Sequence, residues 1–593
     1  MRFSRMIAIV SVLSGLLATT TIAVAADPEN SADGKPKKIR LASILVKEGY
    51  PEGTAPEGLF GDLKPHLREL VERLDKAAKD EKISGVVLRL REPDIGLAKV
   101  DELRSAIGRI RKAGKRVYAD VHSAGNKDYL VASACDEIIM PESGSLMITG
   151  LEAQVIFFKG LLDKLGIQAD FIQIGDFKGA AEPLTRESMS PEFRQQYEAV
   201  INDYYEQIVQ SIAQDRKLDC ERVKELIDVG LFTAEQARDA KLIDRVAYED
   251  EWRETLKKDF NADEVALERD YGKKKSDNDF SGMAGLMKLM ESVMGGQQQK
   301  AKSSKNPKVA IVYAVGAITT GESAASLFGD ETIGSDTIVK ALREADEDAK
   351  VKAIVLRVDS PGGSALASDL IWREVVNSKK PVIASMGDTA ASGGYYISMA
   401  ARKIFAEPGT LTGSIGVVGG KLALRGLFDK IGVKAEVIAR GRNSGTLSIT
   451  EPFTPGQREA WKRVMVGTYE QFTTKAAQGR KMDVKKLETM AQGRVFTGRM
   501  AVANGLADQL GTLDDAIAEA KNMAGLKLDE KVDLLILPEP KSFLEQFLGG
   551  SMGETQIRAL APQLVDALKT AETLQKLFAE PSVMVMPYTV RFK

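Results

Sequence analysis

Gly160-Leu161-Leu162-Asp163-Lys164-Leu165-Gly166 recurs as Gly426-Leu427-Phe428-Asp429-Lys430-Ile431-Gly432, 266 positions further along a chain of 593 residues. Other matches keep the same order. Val86-Val87-Leu88-Arg89 returns as Ile354-Val355-Leu356-Arg357 at an offset of 268, and Glu182-Pro183-Leu184-Thr185 as Glu451-Pro452-Phe453-Thr454 at 269. Phe232-Thr233 and Leu242-Ile243-Asp244 return as Phe496-Thr497 and Leu506-Ala507-Asp508, both at 264. Collinear matches with small drifts mean a duplicated domain with loop-sized insertions, and a period this long is not that of a solenoid. Length alone suggests roughly four domains of about 150 residues. The repeat replaces that estimate with two copies and their flanking segments.

Within the second copy, Val309 to Tyr313, Ala353 to Val358 and Val382 to Ser385 are short, β-branched apolar runs. Between them, Ser335 to Ala345 and Asp369 to Asn377 carry helical spacing, and a further helix is expected from Gly393. Buried parallel strands joined by crossover helices fit this alternation, so each copy is expected to be an α/β layered unit. The division expected is 1–26 as a leader, 27–271 as the first repeat, 272–307 as a linker, 308–525 as the second repeat and 526–593 as a C-terminal extension. In the linker, Met283, Leu286, Met287, Leu289, Met290 and Met294 sit at helical spacing, read as a short helix packed on its own subunit rather than a membrane-facing strip. The tail after Leu526 has no visible counterpart in the first copy, and Ile557 to Phe578 is helix-patterned.

Composition narrows the class. Lys and Arg number 82 against 84 Asp and Glu, a net charge of −2, with 44% hydrophobic residues. This excludes a polytopic membrane protein, a disordered chain, a collagen and a disulfide scaffold. A balanced charge also argues against a nucleic-acid partner, since phosphate neutralisation needs a cationic face. Two His and two Cys remove most zinc architectures, which need four nitrogen or sulfur ligands.

Arg2 and Arg5 precede an uncharged stretch from Met6 to Ala26, closed by Ala23-Val24-Ala25 and then Asp27-Pro28. Basic start, apolar middle and small-residue exit describe an export signal, either cleaved or kept as an N-terminal anchor. Export would permit a Cys135–Cys220 disulfide; two separately buried thiols are the other reading.

Two glycine-rich segments of the second copy follow expected strands, Asp359-Ser360-Pro361-Gly362-Gly363 and Ala390-Ala391-Ser392-Gly393-Gly394-Tyr395. Glycine there lets backbone amides approach a ligand with no Cβ in the way. A serine at the mouth of a helix, beside such amides, suits acyl transfer with an oxyanion hole. The commoner role of such a serine is to cap the helix. The repeat weighs against that role, because Ser392 falls opposite Gly125 and the Ser360-Pro361-Gly362-Gly363 turn opposite Glu92-Pro93-Asp94-Ile95. The first copy keeps the scaffold and lacks the hydroxyl.

The base is harder to find. His122 lies beside the dead site of the first copy, and His66 reads as a surface residue at a helix start. A lysine, held neutral by burial, can replace histidine.

The Ser-Pro-Gly-Gly turn, the Ala-Ser-Gly-Gly-Tyr segment, Leu411-Thr412-Gly413-Ser414-Ile415-Gly416 and the duplicated layout resemble the signal peptide peptidase A family in its long, two-repeat form. The resemblance spans roughly residues 40 to 525. It implies a serine–lysine endopeptidase with the fold of the Clp protease subunit and the crotonases, arranged as a ring-like homo-oligomer, a tetramer, at the inner membrane with its catalytic part outside the cytoplasm. It implies cleaved signal peptides and other apolar peptides as substrates, and no cofactor or metal. Ser392 maps to the nucleophile. Phe177-Lys178-Gly179-Ala180-Ala181-Glu182-Pro183 maps to the lysine segment, so Lys178 maps to the general base; Gly179 replaces the usual serine. The repeat agrees independently, since an offset of 266 sets Lys178 opposite Ser444. One half has the lysine and lacks the serine, and the other the reverse, which implies one composite site. Amides of Gly393 and of Gly362 or Gly363 are expected to receive the oxyanion. The rival classes are an inactive membrane-associated scaffold and a crotonase-like acyl-CoA enzyme.

Overall fold

The structure, a computed structural model, describes residues 37–53, 65–273, 306–323, 332–438, 440–539 and 583–586. The leader, the methionine-bearing stretch from Met283 to Met294 and the pattern from Ile557 to Phe578 lie outside the described residues.

Each half is built on a parallel sheet with the same strand order. In the first half the order is Glu264–Arg269, Lys38–Gly49, Gly85–Asp94, Arg116–Val121, Glu137–Met140 and Arg245–Val246. In the second half it is Asp533–Leu537, Lys308–Val315, Val351–Ser360, Val382–Ala391, Lys403–Ala406 and Gln509–Leu510. The strands and helices expected in the second copy between Val309 and Gly393 are all present, several of them longer at their ends. The central strands are apolar on both faces because helices cover both; Val309, Ala310, Ile311 and Val312 are all fully buried, as are Ile354, Val355 and Leu356.

The strand Asp533–Leu537 corrects the expected boundary near Leu526. It pairs with Lys308 to Val312 as Glu264–Arg269 pairs with Lys38 to Ser43, so the second repeat runs on to Leu537. The two edge strands share little sequence beyond apolar character, which hid the correspondence.

Several contacts bind the halves together. The helix Pro191–Arg216 of the first half starts at a Ser190 cap with proline in its first turn, as its counterpart Pro455–Gly479 starts at Thr454. It crosses to the second half, where Tyr204 donates to the Gly409 carbonyl at 3.0 Å and Gln196 accepts from the Val495 amide at 3.0 Å. The strand Gln168–Ile174 leaves the first half altogether and pairs antiparallel with Val417–Ala423 of the second over seven residue pairs. Finally, buried Arg357 of the second half reaches Glu52 and Glu102 of the first.

Cys135 is buried and Cys220 exposed, and both are free thiols. Neither expected reading of the pair holds. Cys220 opens the amphipathic helix Cys220–Val229, whose buried face is Val223, Leu226 and Ile227. No helix among the described residues is long and apolar enough to cross a membrane.

Candidate active site

Ser392 sits where the strand Val382–Ala391 turns into the helix Gly393–Ser398, with φ +56° and ψ −112°. A non-glycine residue is strained at such a φ and is held there by its surroundings. The Ser392 amide donates to the Gly413 carbonyl at 2.8 Å, and its own carbonyl accepts from the Tyr396 amide at 2.9 Å. Its hydroxyl makes no cap to the helix. It meets a lysine instead.

Lys178 arrives on the arm that follows the exchanged strand Gln168–Ile174. Its Nζ lies 2.8 Å from Ser392 Oγ, although 214 positions separate the two residues. The same nitrogen is 2.8 Å from both the carbonyl oxygen and the Oγ of Ser414. All three side chains are fully buried. Burial alone, with no carboxylate to offset it, pushes the Lys178 pKa well below the ordinary 10.5. A neutral amine has two N–H donors and one lone pair. In that form Ser414 can accept from both donors, which leaves the lone pair free for the Ser392 hydroxyl.

Close backbone approach holds the arm in place. The Phe177 amide donates to the Gln492 carbonyl at 2.9 Å, and a Cβ on Gly493 would come within 2.5 Å of the Lys178 backbone nitrogen. Next to the lysine, a Cβ on Gly179 would collide with the Phe193 ring. Phe193 therefore fills the place a side chain at position 179 would take, and Ser414 supplies polar contacts to the amine.

The three glycines assigned to the oxyanion hole converge beside Ser392. Gly362 and Gly363 have φ of +98° and +157°, and a Cβ built on Gly393 would stand 3.1 Å from both Gly362 Cα and Gly363 N. The Gly362 amide donates to Ser360 Oγ at 3.1 Å in this arrangement. The histidines are elsewhere: His66 caps the helix Leu67–Lys79, accepting from the Glu69 amide, and His122 faces Arg91 and Asp120 at the surface of the first half. Ser414 was not among the expected site residues. The signal was present, because the offset of 266 sets Ile148 opposite it.

A buried serine hydroxyl on a strained strand–helix turn, facing a buried lysine amine and flanked by glycine amides, defines a serine-type hydrolase centre. Comparison with known proteins agrees with that class. The profile of Peptidase family S49 matches residues 109–263 and 374–527, one region in each half. "Serine protease SPPA, chloroplastic" of Arabidopsis thaliana is 37% identical over 487 residues, covering 82% of this chain and 69% of that protein. "Protease 4" of Salmonella typhi is 31% identical over 540 residues, covering 88% of this chain and 82% of that one. Among solved structures, ClpP1 from Listeria monocytogenes is matched at 15% identity and a TM-score of 0.24, covering 35% of this chain and 94% of that one. The chain belongs to peptidase family S49, in its duplicated form, and is a serine-type peptidase.

Proposed function

We propose that Ser392 and Lys178 form the catalytic dyad of an endopeptidase that hydrolyses cleaved signal peptides and other apolar peptides. The observation that carries this reading is the 2.8 Å contact of a fully buried Lys178 amine with the Ser392 hydroxyl. Lys178 accepts the hydroxyl proton as Ser392 Oγ bonds to a peptide carbonyl carbon. The tetrahedral oxyanion takes hydrogen bonds from the amides of Gly393 and of Gly363 or Gly362, the last after release from Ser360. The protonated Lys178 then gives its proton to the leaving amine, and a water deprotonated by the same amine hydrolyses the acyl-enzyme. Signal peptides as substrates follow from the family resemblance. The expected export leader, a location at the inner membrane with the site outside the cytoplasm, and a ring-like tetramer belong to the same reading.

Intact-mass measurement with a serine-acylating probe tests the dyad. One adduct per chain is expected on the parent, and none on Ser392→Ala or Lys178→Ala. Labelling that persists in Lys178→Ala moves the base elsewhere. A folded parent that takes no label sinks the reading and favours a non-catalytic scaffold.

A further inference from the structure

The groove beside the Ser392 turn has an occupant, and it belongs to the same chain. The strand Val583–Val585 lies antiparallel to Gly362–Ser364, in the register Gly362 with Val585, Gly363 with Met584 and Ser364 with Val583. On its other side Val583 pairs antiparallel with Val418 of Val417–Ala423. The Met586 amide donates to the Pro361 carbonyl at 2.7 Å. The strand thus fills one place in a sheet that runs Thr332–Gly334, Ala317–Thr319, Gly362–Ser364, Val583–Val585, Val417–Ala423 and Gln168–Ile174.

Removing it would leave two edges facing each other across the width of a single strand, about 4.8 Å from either side. Such facing edges form a slot for an extended peptide, held by backbone hydrogen bonds. The slot is bounded by the residues that surround the chemistry. One wall is the Gly362-Gly363 turn, and the other is the strand that follows Ser414 and pairs with the arm carrying Lys178. The place a Cβ on Gly362 would take is filled by the Met584 carbonyl oxygen and lies 2.6 Å from the Gly393 nitrogen. A backbone carbonyl of the tail therefore lies close against the Gly362 turn.

Side chains of the tail are apolar and buried. Val583 and Met584 are fully buried and Met586 is 5% exposed. Val583 packs on Val418 and Ala181, three residues from Lys178, while Met584 turns into the core of the second half with Ile318 and Ile172. The slot thus accepts apolar side chains on both of its faces.

We propose that the segment around Val583–Val585 is a resident, exchangeable occupant of the peptide-binding groove, which substrate must displace. This rests on Ser392 and Lys178 being the catalytic pair. Among the described residues, Val418 of the seven-residue strand Val417–Ala423 pairs with it, so a peptide extended along the same edge can form further backbone contacts.

The test compares the full chain with a chain ending at residue 579 and with full-length Met584→Asp. A groove open about a tenth of the time binds its ligand roughly tenfold more weakly. Both variants should therefore show KM for an apolar peptide lowered about tenfold, with kcat unchanged. Ser392 acylation by the probe should rise by a similar factor. A synthetic peptide of residues 580–590 should inhibit the shortened chain competitively, and the same peptide with Asp in place of Met584 should not. Equal KM and equal labelling in all three proteins would overturn the proposal. So would a shortened chain that stays folded but loses activity the peptide does not compete for, since the strand would then be part of the scaffold. Failure of the dyad reading looks different, because no protein would label. Fluorescence anisotropy of the labelled 580–590 peptide on a shortened Ser392→Ala chain reads the groove without chemistry: binding there supports the proposal, and its absence sinks it.

Discussion

Arg357 and Glu52 belong to different halves of the chain, yet a guanidinium nitrogen of one lies 2.6 Å from a carboxylate oxygen of the other, both buried. Glu407 and Glu102 stand 3.3 and 3.4 Å from the same guanidinium, and Ser385 Oγ accepts from it at 2.9 Å. Burial opposes ionisation of Glu52, but the adjoining Arg357 outweighs it and lowers the pKa below 4.5. Burial, reinforced by Glu102, raises Glu407 well above 4.5. Arg357 closes the strand Val351–Ser360 against the first half, three residues before the Ser360 turn.

Arg357→Leu would leave Glu52 and Glu102 facing each other without a cation. The expected cost is about 3–5 kcal/mol, the usual result of removing one partner from a buried charge cluster. Urea denaturation of the parent and the variant measures it. A loss below about 1 kcal/mol would show that the junction does not depend on this charge.

With Lys178 as the proposed base, both activity and stability are expected to depend on pH. Its folded pKa is far below 10.5, so between the two values the unfolded chain binds a proton that the folded chain refuses. Stability contributed by this group is complete above 10.5 and is lost as pH falls towards the folded pKa. The stability of the parent relative to Lys178→Met should therefore rise with pH across that window, by up to about 1.4 kcal/mol per pH unit. Denaturation of both proteins at a series of pH values from neutral upward checks the sign. The rate of Ser392 acylation should rise with pH over the deprotonation of Lys178, with a midpoint below 10.5. A midpoint at or above that value would mean that the amine is solvated.

Much of this site was legible before any coordinates. Loss of the hydroxyl in the first copy pointed to Ser392, and the family resemblance pointed to Lys178, which the complementary loss between the copies then supported. The buried strands were legible because Val309 to Tyr313 and Ala353 to Val358 are apolar on both faces. What stayed hidden depends on long-range pairing. Nothing in Gln173-Ile174 announces that its strand leaves its own half to pair with Val417 and Val418. Val583-Met584-Val585 is too short for periodicity to register, and its partners lie more than 160 positions away. Ser414 was quoted as part of a motif, but its role needs the arm of Lys178 to be in place.

Gly179 gives a prediction opposite to a naive restoration of the family residue. Gly179→Ser would press its Cβ into Phe193, which is 1% exposed and stacks edge-on against Tyr197 at 4.9 Å. Overpacking of this kind costs about 1–3 kcal/mol and should displace the lysine arm, lowering both stability and acylation rate. Adding Phe193→Ala should recover part of the acylation rate by making room. Higher activity in Gly179→Ser alone would show that the missing hydroxyl matters more than the packing.

The exchanged strand carries the last prediction, which concerns assembly. Shifted by the repeat offset of 266, the pair Val417–Ala423 and Gln168–Ile174 becomes 151–157 and 434–440. Neither segment has a strand assignment among the described residues, and Ile156, Val437 and Ile438 are 59%, 62% and 91% exposed. By the repeat, the two segments correspond to the two strands of that contact. A second copy can complete it head to tail, and a head-to-tail contact closes into a ring if the rotation permits. The junction so formed would carry Gly125 and Ser444 where Ser392 and Lys178 stand within the chain, so it would add no second active site. The register sets Gln154 opposite Val437, a spacing that suits a disulfide across an antiparallel pair. In a Cys220→Ser background, Gln154→Cys with Val437→Cys should give disulfide-linked multimers on a non-reducing gel. Val437→Pro removes an amide donor from the same edge and should lower the mass seen by light scattering, while Ser392 still labels within each chain. An unchanged mass for Val437→Pro, together with no cross-link, would place the contact between copies on another surface.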